Sequence, residues 1–370
     1  MIKKAGYLLF ALFFYMFRLC PQKEKKVFLI ATHDAGEDGN IGIVSRRLWQ
    51  EKPDYEQIWF TRKNTIRNPV DFFIKKAYHL ATSSYVFLDN EFLPMAYLNF
   101  SKHTKVVQLW HGTGTIKRFG QDVNIGSLKR LEYLANQRIT HLIVNSENVA
   151  KEYASAFGID KEHIFVIGNP RTDLMLNKQY LQDKEKKFYR DYPELQGKRC
   201  ILYAPTFRDS EVSNPTLHLN LKAVEESLAE DEVLLIRLHP HVAQNIRESF
   251  FEPYAGKIYH VSDYSEIAAL LAVSEVLITD YSSIVFEYCL LERPMLFYAY
   301  DLKEFEQRGR NFYRDYRNFV PGPVLESEEA LLNCLKAKDY HADESFVAKN
   351  FPLLDGNATS RLFALIFSKG

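Results

Sequence analysis

The stretch Gln108-Leu109-Trp110-His111-Gly112-Thr113-Gly114-Thr115-Ile116-Lys117-Arg118 ends an apolar run in a histidine, followed by two glycines, two threonines and two basic residues. Glycines let backbone amides approach an anion closely, and hydroxyls with Lys or Arg add donors. A histidine titrates near neutrality and can take a proton from an attacking hydroxyl. A tight turn around a hydrogen-bonded histidine is the plainer reading. The accompanying hydroxyls and cations favour a site, with His111 as base and Gly112, Thr113 and Lys117 as contacts to phosphate or acceptor.

Three further clusters also follow apolar runs. In Ala204-Pro205-Thr206-Phe207-Arg208 the proline fixes a turn, and Arg208 is suited to pairing a phosphate in bidentate fashion. In Leu235-Ile236-Arg237-Leu238-His239-Pro240-His241 an arginine interrupts the run and a histidine ends it, which points to phosphate binding by Arg237 and His239. In Thr279-Asp280-Tyr281-Ser282-Ser283, with Glu287 beyond, a serine pair opens a helix. A helix start with serine donors would seat a pyrophosphate, and Glu287 one turn in could accept from ribose hydroxyls; simple N-capping by Ser282 is the structural alternative. Arg308, Arg310, Arg314 and Arg317, interleaved with aromatics, form either a guard over an anionic ligand or a solvated basic loop. Gly36, Gly39 and Gly42 are not spaced as a dinucleotide fingerprint and shape a turn. There is no Walker loop, HExxH or GxSxG.

The elements that must position these residues follow a βαβα rhythm. Continuous apolar strands are predicted at residues 27–31, 57–60, 85–89, 105–109, 141–145 and 163–167. They restart at 200–204, 233–238, 257–261, 275–279 and 295–298. Helical stretches lie between them, one of which opens on Ser146 and closes at Gly158. The fold class is α/β: two doubly wound Rossmann-like domains facing a cleft, with ligands at the carboxyl ends of the strands. The expected boundaries are a membrane-associating helix (1–26), an acceptor-side domain (27–177), a polar linker (178–199) and a donor-binding domain (200–370). A chain of 370 residues fits two such domains. The 47 basic and 47 acidic residues cancel, so no global field draws the protein to nucleic acid. Cys20, Cys200, Cys289 and Cys334 lie far apart without metal-ligand spacing, which excludes a zinc framework and predicts reduced thiols.

The segment before residue 27 departs from the average. Residues 5–17 form an apolar and aromatic run, shorter than the roughly 20 residues of a spanning helix. Lys3, Lys4, Arg18, Lys23, Lys25 and Lys26 flank it against a single acid, Glu24. The pattern predicts a helix lying in or dipping into an anionic cytoplasmic membrane face, with packing on the protein's own surface as the alternative.

Taken together, the motifs resemble the CDP-glycerol glycerophosphotransferase family, the primases and polymerases of teichoic acid synthesis. The resemblance rests on the Trp110–Gly114 run with Lys117, on Gly168-Asn169-Pro170-Arg171-Thr172-Asp173, and on Ala204–Arg208. It continues through Arg237–Pro240, Thr279–Ser283 and the Phe319–Pro323 stretch, in the family's order. The family's His-Gly-Thr is often followed by Pro and Leu-Lys, whereas this chain has Gly114-Thr115-Ile116-Lys117. The resemblance implies a GT-B-like fold, a CDP-glycerol or CDP-ribitol donor and a lipid-linked acceptor at the cytoplasmic membrane face. It also implies that His111 is the base, while His239, Ser282 and Ser283 hold the diphosphate. Thr279 and Asp280 fall in the same donor motif, and Arg171 joins the candidate anion contacts. No cofactor is required by this reading; Mg2+ would help neutralise the diphosphate, but no acidic cluster stands out as its cage. The competing functions are a sugar-nucleotide glycosyltransferase or epimerase on the same fold, and a nonenzymatic membrane-peripheral scaffold.

Overall fold

A computed structural model describes residues 2–62, 68–208, 216–308 and 311–368. Within it the chain forms two compact α/β units, Met1–Leu174 with Asn350–Gly370, and Met175–Lys349. The first unit carries β1 (Lys23–Ala31), β2 (Glu56–Thr61), β3 (Ser83–Leu88), β4 (Lys105–Gln108), β5 (His141–Val144) and β6 (Ile164–Val166). They form one sheet in the order β2-β1-β3-β4-β5-β6, each neighbouring pair parallel. The second unit carries β7 (Arg199–Tyr203), β8 (Glu232–Ile236), β9 (Ile258–His260), β10 (Ser274–Thr279), β11 (Met295–Tyr298) and β12 (Val324–Leu325). Its order is β12-β11-β10-β7-β8-β9, again parallel throughout. Each sheet reverses its winding beside its first strand, between β1 and β3 and between β7 and β10. Such a switch point opens a crevice at the strand ends, where doubly wound folds bind ligands.

The strands form where apolar residues run without interruption, because both faces are covered. Val27, Leu29 and Ala31 of β1 pack on one face with Ile41, Val44 and Leu48 of helix Asn40–Glu51. Phe28, on the other face, meets Phe60, which in turn meets Phe92 and Phe72. In the second unit Ile201, Tyr203, Leu234, Ile236, Val276 and Ile278 share a core with Val224, Leu331 and Leu335. Helix Glu147–Phe157 has the predicted ends: the Ser146 hydroxyl accepts from the Val149 N–H, and Gly158 closes it in the left-handed conformation (φ 63°, ψ 41°). Gly42 is needed for close packing, since a Cβ there would lie 2.2 Å from the Gly36 carbonyl oxygen. All four cysteines are free, and Cys200 and Cys289 are buried.

Three features depart from the sequence expectation. The polar stretch expected as a helical linker is a helix over Lys178–Asp191, but it is part of the second unit. It buries Phe188 against Tyr264, and Lys184 and Lys187 both pair with Glu266. Residues 350–370, expected to complete the second domain, return to the first. Leu362, Phe363, Ile366 and Phe367 of helix Ala358–Phe367 complete the face of β1 that carries Val27 and Leu29. Apolar periodicity shows that this helix must bury a face but not which sheet receives it. Finally, β1 begins four residues earlier than expected. Its basic residues are engaged within the protein: Lys23 pairs with Glu56, Lys25 with Asp54, and the buried Lys26 donates to the Thr82 hydroxyl.

Helix Ile2–Phe17 lies on the first unit, with Phe10 and Phe14 buried against Phe72, Phe92 and Phe100. Its other face exposes Leu8, Leu9, Leu12, Tyr15 and Met16. Among the described residues no helix is long and apolar enough to cross a membrane.

The returning helix is fastened by Asp173, whose carboxylate accepts the Ala358 and Thr359 N–H groups and the Thr359 hydroxyl. Asp173→Ala should therefore lower stability by about 1–2 kcal/mol, the usual worth of an N-cap, and thermal unfolding will read the loss.

Candidate active site

In the first unit, Asp89 stands immediately past β3. Its carboxylate accepts the backbone N–H groups of Thr32 (2.9 Å), His33 (3.1 Å) and Asp34 (2.9 Å), which follow β1 across the switch point. Burial nevertheless raises its pKa above the ordinary carboxylate value, against the pull of those three donors. The Asp89 carbonyl lies 3.3 Å from His111 Nδ1. A carbonyl only accepts, so Nδ1 carries the proton and the Nε2 lone pair is left for other work.

The His111 ring lies between two others. His33 stacks on it at 4.1 Å and 15°, and the Trp110 indole lies 4.2 Å away at 33°. Two rings cannot share one face of an imidazole at these distances, so they take opposite faces. Burial, and then the neighbouring His33, push the pKa of His111 down to about 3 and keep the ring neutral. Trp110 adopts φ 55°, a left-handed conformation uncommon for a bulky residue. Side chains hold it there: its N–H donates to Gln108 Oε1, and its carbonyl accepts from Asn40 Nδ2.

Asparagines at other strand ends complete the scaffold. Asn145 donates to the Thr113 carbonyl and accepts the Asn169 N–H, while Asn169 donates to the Leu109 carbonyl. The Tyr153 hydroxyl donates to the Gly112 carbonyl at 2.8 Å. The Thr113 hydroxyl is buried and finds no hydrogen-bond partner among the described residues, so it has a donor to offer a ligand oxygen.

In the second unit, Asp280 stands immediately past β10. Its Oδ1 accepts the Thr206 N–H (2.8 Å) across the switch point, and its Oδ2 accepts from Arg208 (3.0 Å). Arg208 also forms a fork to Asp301 at 2.7 and 2.9 Å, and its guanidinium lies over the Tyr281, Tyr300 and Phe305 rings. Burial works against the Asp301 carboxylate. The hydrogen bonds and charge of Arg208, with the Tyr281 hydroxyl, outweigh it and keep the pKa below the usual range. Beside this network a cavity is lined by Thr206, Phe207, His218, His239 and Tyr300. His239 is half-buried and lies against Phe207 at 4.3 Å, and the Thr206 hydroxyl has no hydrogen-bond partner among the described residues.

The structure brings the predicted residues of each unit to the strand ends but gives several of them different work. Arg208 is taken up by two carboxylates. The Thr279 hydroxyl is fully buried and donates to the Ala204 carbonyl. Arg237 donates to the Tyr264 carbonyl. Ser282 and Ser283 precede a short helix rather than a long one: the α-helical turn Val285–Tyr288 runs into a 3-10 turn, Cys289–Leu291, which ends at Glu292 (φ 54°) ahead of Pro294. Glu287 is buried within that turn. Lys117 is half-buried, Arg171 lies in the first turn of helix Pro170–Leu176, and Arg310 falls outside the described residues. Sequence reasoning missed His33, Asn40, Asp89 as a clamp, Asn145, Asn169 and Asp301. For Asp89, Asn145 and Asn169 the signal was a lone polar residue at or just past the end of an apolar run. Among the described residues no group of three or more His, Cys, Asp or Glu is placed to hold a metal ion.

Over residues 12–368 the sequence matches the model of the CDP-glycerol:poly(glycerophosphate) glycerophosphotransferase family. It is 34% identical to a teichoic acid poly(ribitol-phosphate) polymerase of Bacillus spizizenii, over 98% of this chain but 59% of that protein's length. It is 33% identical to a teichoic acid glycerol-phosphate primase of Bacillus subtilis, over 81% of this chain and 77% of that one. Among solved structures, a histidine-to-asparagine variant of the wall teichoic acid polymerase TagF, soaked with CDPG, superposes with a TM-score of 0.82 at 25% identity. That match covers 98% of this chain and 93% of the other. A putative UDP-N-acetylglucosamine 2-epimerase from Listeria monocytogenes (TM-score 0.58, 15% identity, 93% and 96% covered) shares the fold alone.

Arg208→Met would leave the buried Asp280 and the half-buried Asp301 without their cation. It should cost about 3–5 kcal/mol, as removal of one partner from a buried ion pair does. Chemical denaturation will read it; unchanged stability with lost donor affinity would instead return Arg208 to the phosphate role.

Proposed function

We propose that this chain, which belongs to the CDP-glycerol:poly(glycerophosphate) glycerophosphotransferase family, transfers glycerol phosphate or ribitol phosphate from a CDP-polyol to a lipid-linked saccharide or polyol-phosphate acceptor. CMP is released, and the product enters teichoic acid or a related cell-wall polymer. The observation that carries this reading is His111, fixed through Nδ1–H and kept neutral, with Nε2 free to accept a proton. Relatives named for ribitol phosphate and for glycerol phosphate support both polyols as candidates.

The acceptor hydroxyl gives its proton to His111 Nε2 as its oxygen attacks the polyol-bearing phosphorus in line. The phosphoanhydride bond breaks and its electron pair leaves with CMP. A weak base takes the proton only as the new P–O bond forms, so most of the acceleration comes from positioning and from donors aimed at phosphoryl oxygens. On the donor side these are His239, the Thr206 hydroxyl, Ser282 and Ser283, with Glu287 accepting from the ribose. Arg208, Asp280 and Thr279 hold the loops that present them. Thr113, Lys117 and Arg171 attend the acceptor.

We also place the protein on the membrane surface through the outward face of helix Ile2–Phe17, where Leu8, Leu12 and Met16 share a stripe at helical spacing. Because Lys23–Lys26 belong to β1, substitution is a cleaner test than removing the segment. Changing Leu8, Leu12 and Met16 together to Ser should weaken binding to anionic vesicles at least ~10-fold, since one buried leucine is worth about 1.5–3 kcal/mol. Undiminished vesicle binding would remove the helix from that role.

The reaction is tested by CMP release from CDP-glycerol and from CDP-ribitol with a lipid-linked acceptor analogue in detergent. His111→Ala should lower turnover by at least ~100-fold while donor binding holds. Glu287→Ala should weaken donor binding roughly 10-fold, the worth of a hydrogen bond to a charged group. Turnover of a UDP-sugar with no CMP from either donor would overturn the assignment.

A further inference from the structure

We infer that His33 is a positioning residue of the transfer reaction: its ring, stacked on His111, aims the Nε2 edge of that base, and its protonation shuts transfer off at low pH. The inference rests on His111 being the base.

Three observations carry it. The rings lie 4.1 Å apart at 15°, which is direct face-to-face contact, and the Trp110 indole closes the opposite face. His111 otherwise has its single Nδ1–H bond as a pivot, about which an imidazole can still rotate; the two flanking rings remove that freedom. The His33 backbone is itself anchored, since its N–H and those of Thr32 and Asp34 are all held by the Asp89 carboxylate. One residue, Asp89, therefore fixes both members of the stack, the first through its carboxylate and the second through its carbonyl.

The electrostatics follow from that distance. Two imidazoles in contact cannot both carry a proton without strong like-charge repulsion. During transfer His111 must become the imidazolium, so His33 must then be neutral. The charged groups facing His33 are Asp89 and Asp34, which favour its protonation, and Arg171 and Arg62, which oppose it. Burial is the largest influence and, with the arginines, sets the balance below the ordinary histidine value. The sign is then fixed. As pH falls through the titration of His33, a cation appears against His111, proton uptake from the acceptor becomes unfavourable, and transfer stops. As pH rises above it, His33 is neutral and transfer is restored.

The test compares His33→Ala, His33→Phe and His111→Asn in CMP release with a CDP-polyol and the acceptor analogue, across pH. His33→Ala should lower kcat at least ~10-fold with KM for the donor little changed, as expected for a misaimed base. His33→Phe keeps a flat ring and has no charge. It should recover most of that kcat above neutrality and lose the acid limb, along which the wild type falls about tenfold per pH unit. In the wild type, NMR of labelled histidine should show His111 as the Nδ1–H tautomer and His33 titrating in step with the acid limb, a readout that needs no variant to fold. Wild-type kcat in His33→Ala, a kcat in His33→Phe as low as in His33→Ala, or an acid limb unchanged in His33→Phe would each overturn the inference while leaving the base assignment intact. Full activity in His111→Asn would overturn both.

Discussion

A carboxylate at each switch point organises its half of the molecule. Asp89 and Asp280 occupy the same place in their sheets, one residue past the strand that neighbours the first strand of the unit. Each reaches sideways and takes hydrogen bonds from the loop that follows that first strand. The crevice of a doubly wound sheet is where strands part company, so the loops on its two sides have no ladder to hold them together. The aspartates supply that connection. A buried carboxylate is tolerated only when its oxygens are satisfied, so carboxylate and loop fix one another.

From that shared device the units diverge in charge. The first fastens its loops with neutral groups: backbone amides, Asn40, Asn145, Asn169 and the Tyr153 hydroxyl. His111, set among such groups, is kept uncharged by burial, the state that the base role proposed for it requires. The second unit adds a buried cation, Arg208, between two aspartates and three aromatic rings. That network fixes the Thr206–Arg208 loop while leaving the Thr206 hydroxyl uncommitted. Catalytic power of this kind lies in groups that need not reorganise when charge develops.

The strands were legible because buried parallel strands read as plain apolar runs, and all eleven longer strands lie within a few residues of their predicted spans. Only β12, two residues long, left no trace. The motif residues were legible as types at strand ends, but their partners were not. Arg208 and Asp301 are 93 positions apart, and nothing local distinguishes an arginine that meets phosphate from one that meets a carboxylate. His33 was hidden because a lone histidine after a strand has no meaning until Asp89 draws its loop toward His111. Within the basic cluster at residues 23–26 the sequence did not separate surface from interior: Lys23 and Lys25 stay at the surface and pair with acids on and beside β2, whereas Lys26 is buried in the sheet.

The return of helix Ala358–Phe367 to the first sheet bears on how the molecule is made. A chain emerges from the ribosome in order, and domains usually close as they emerge. Here β1–β6 are made long before their final helix exists, and helix Asn40–Glu51 alone covers only part of the Val27, Leu29 and Phe87 face. The whole second unit lies between and can close first. The core of the first unit is therefore complete only once residues 358–367 have been made, after every residue of the second unit.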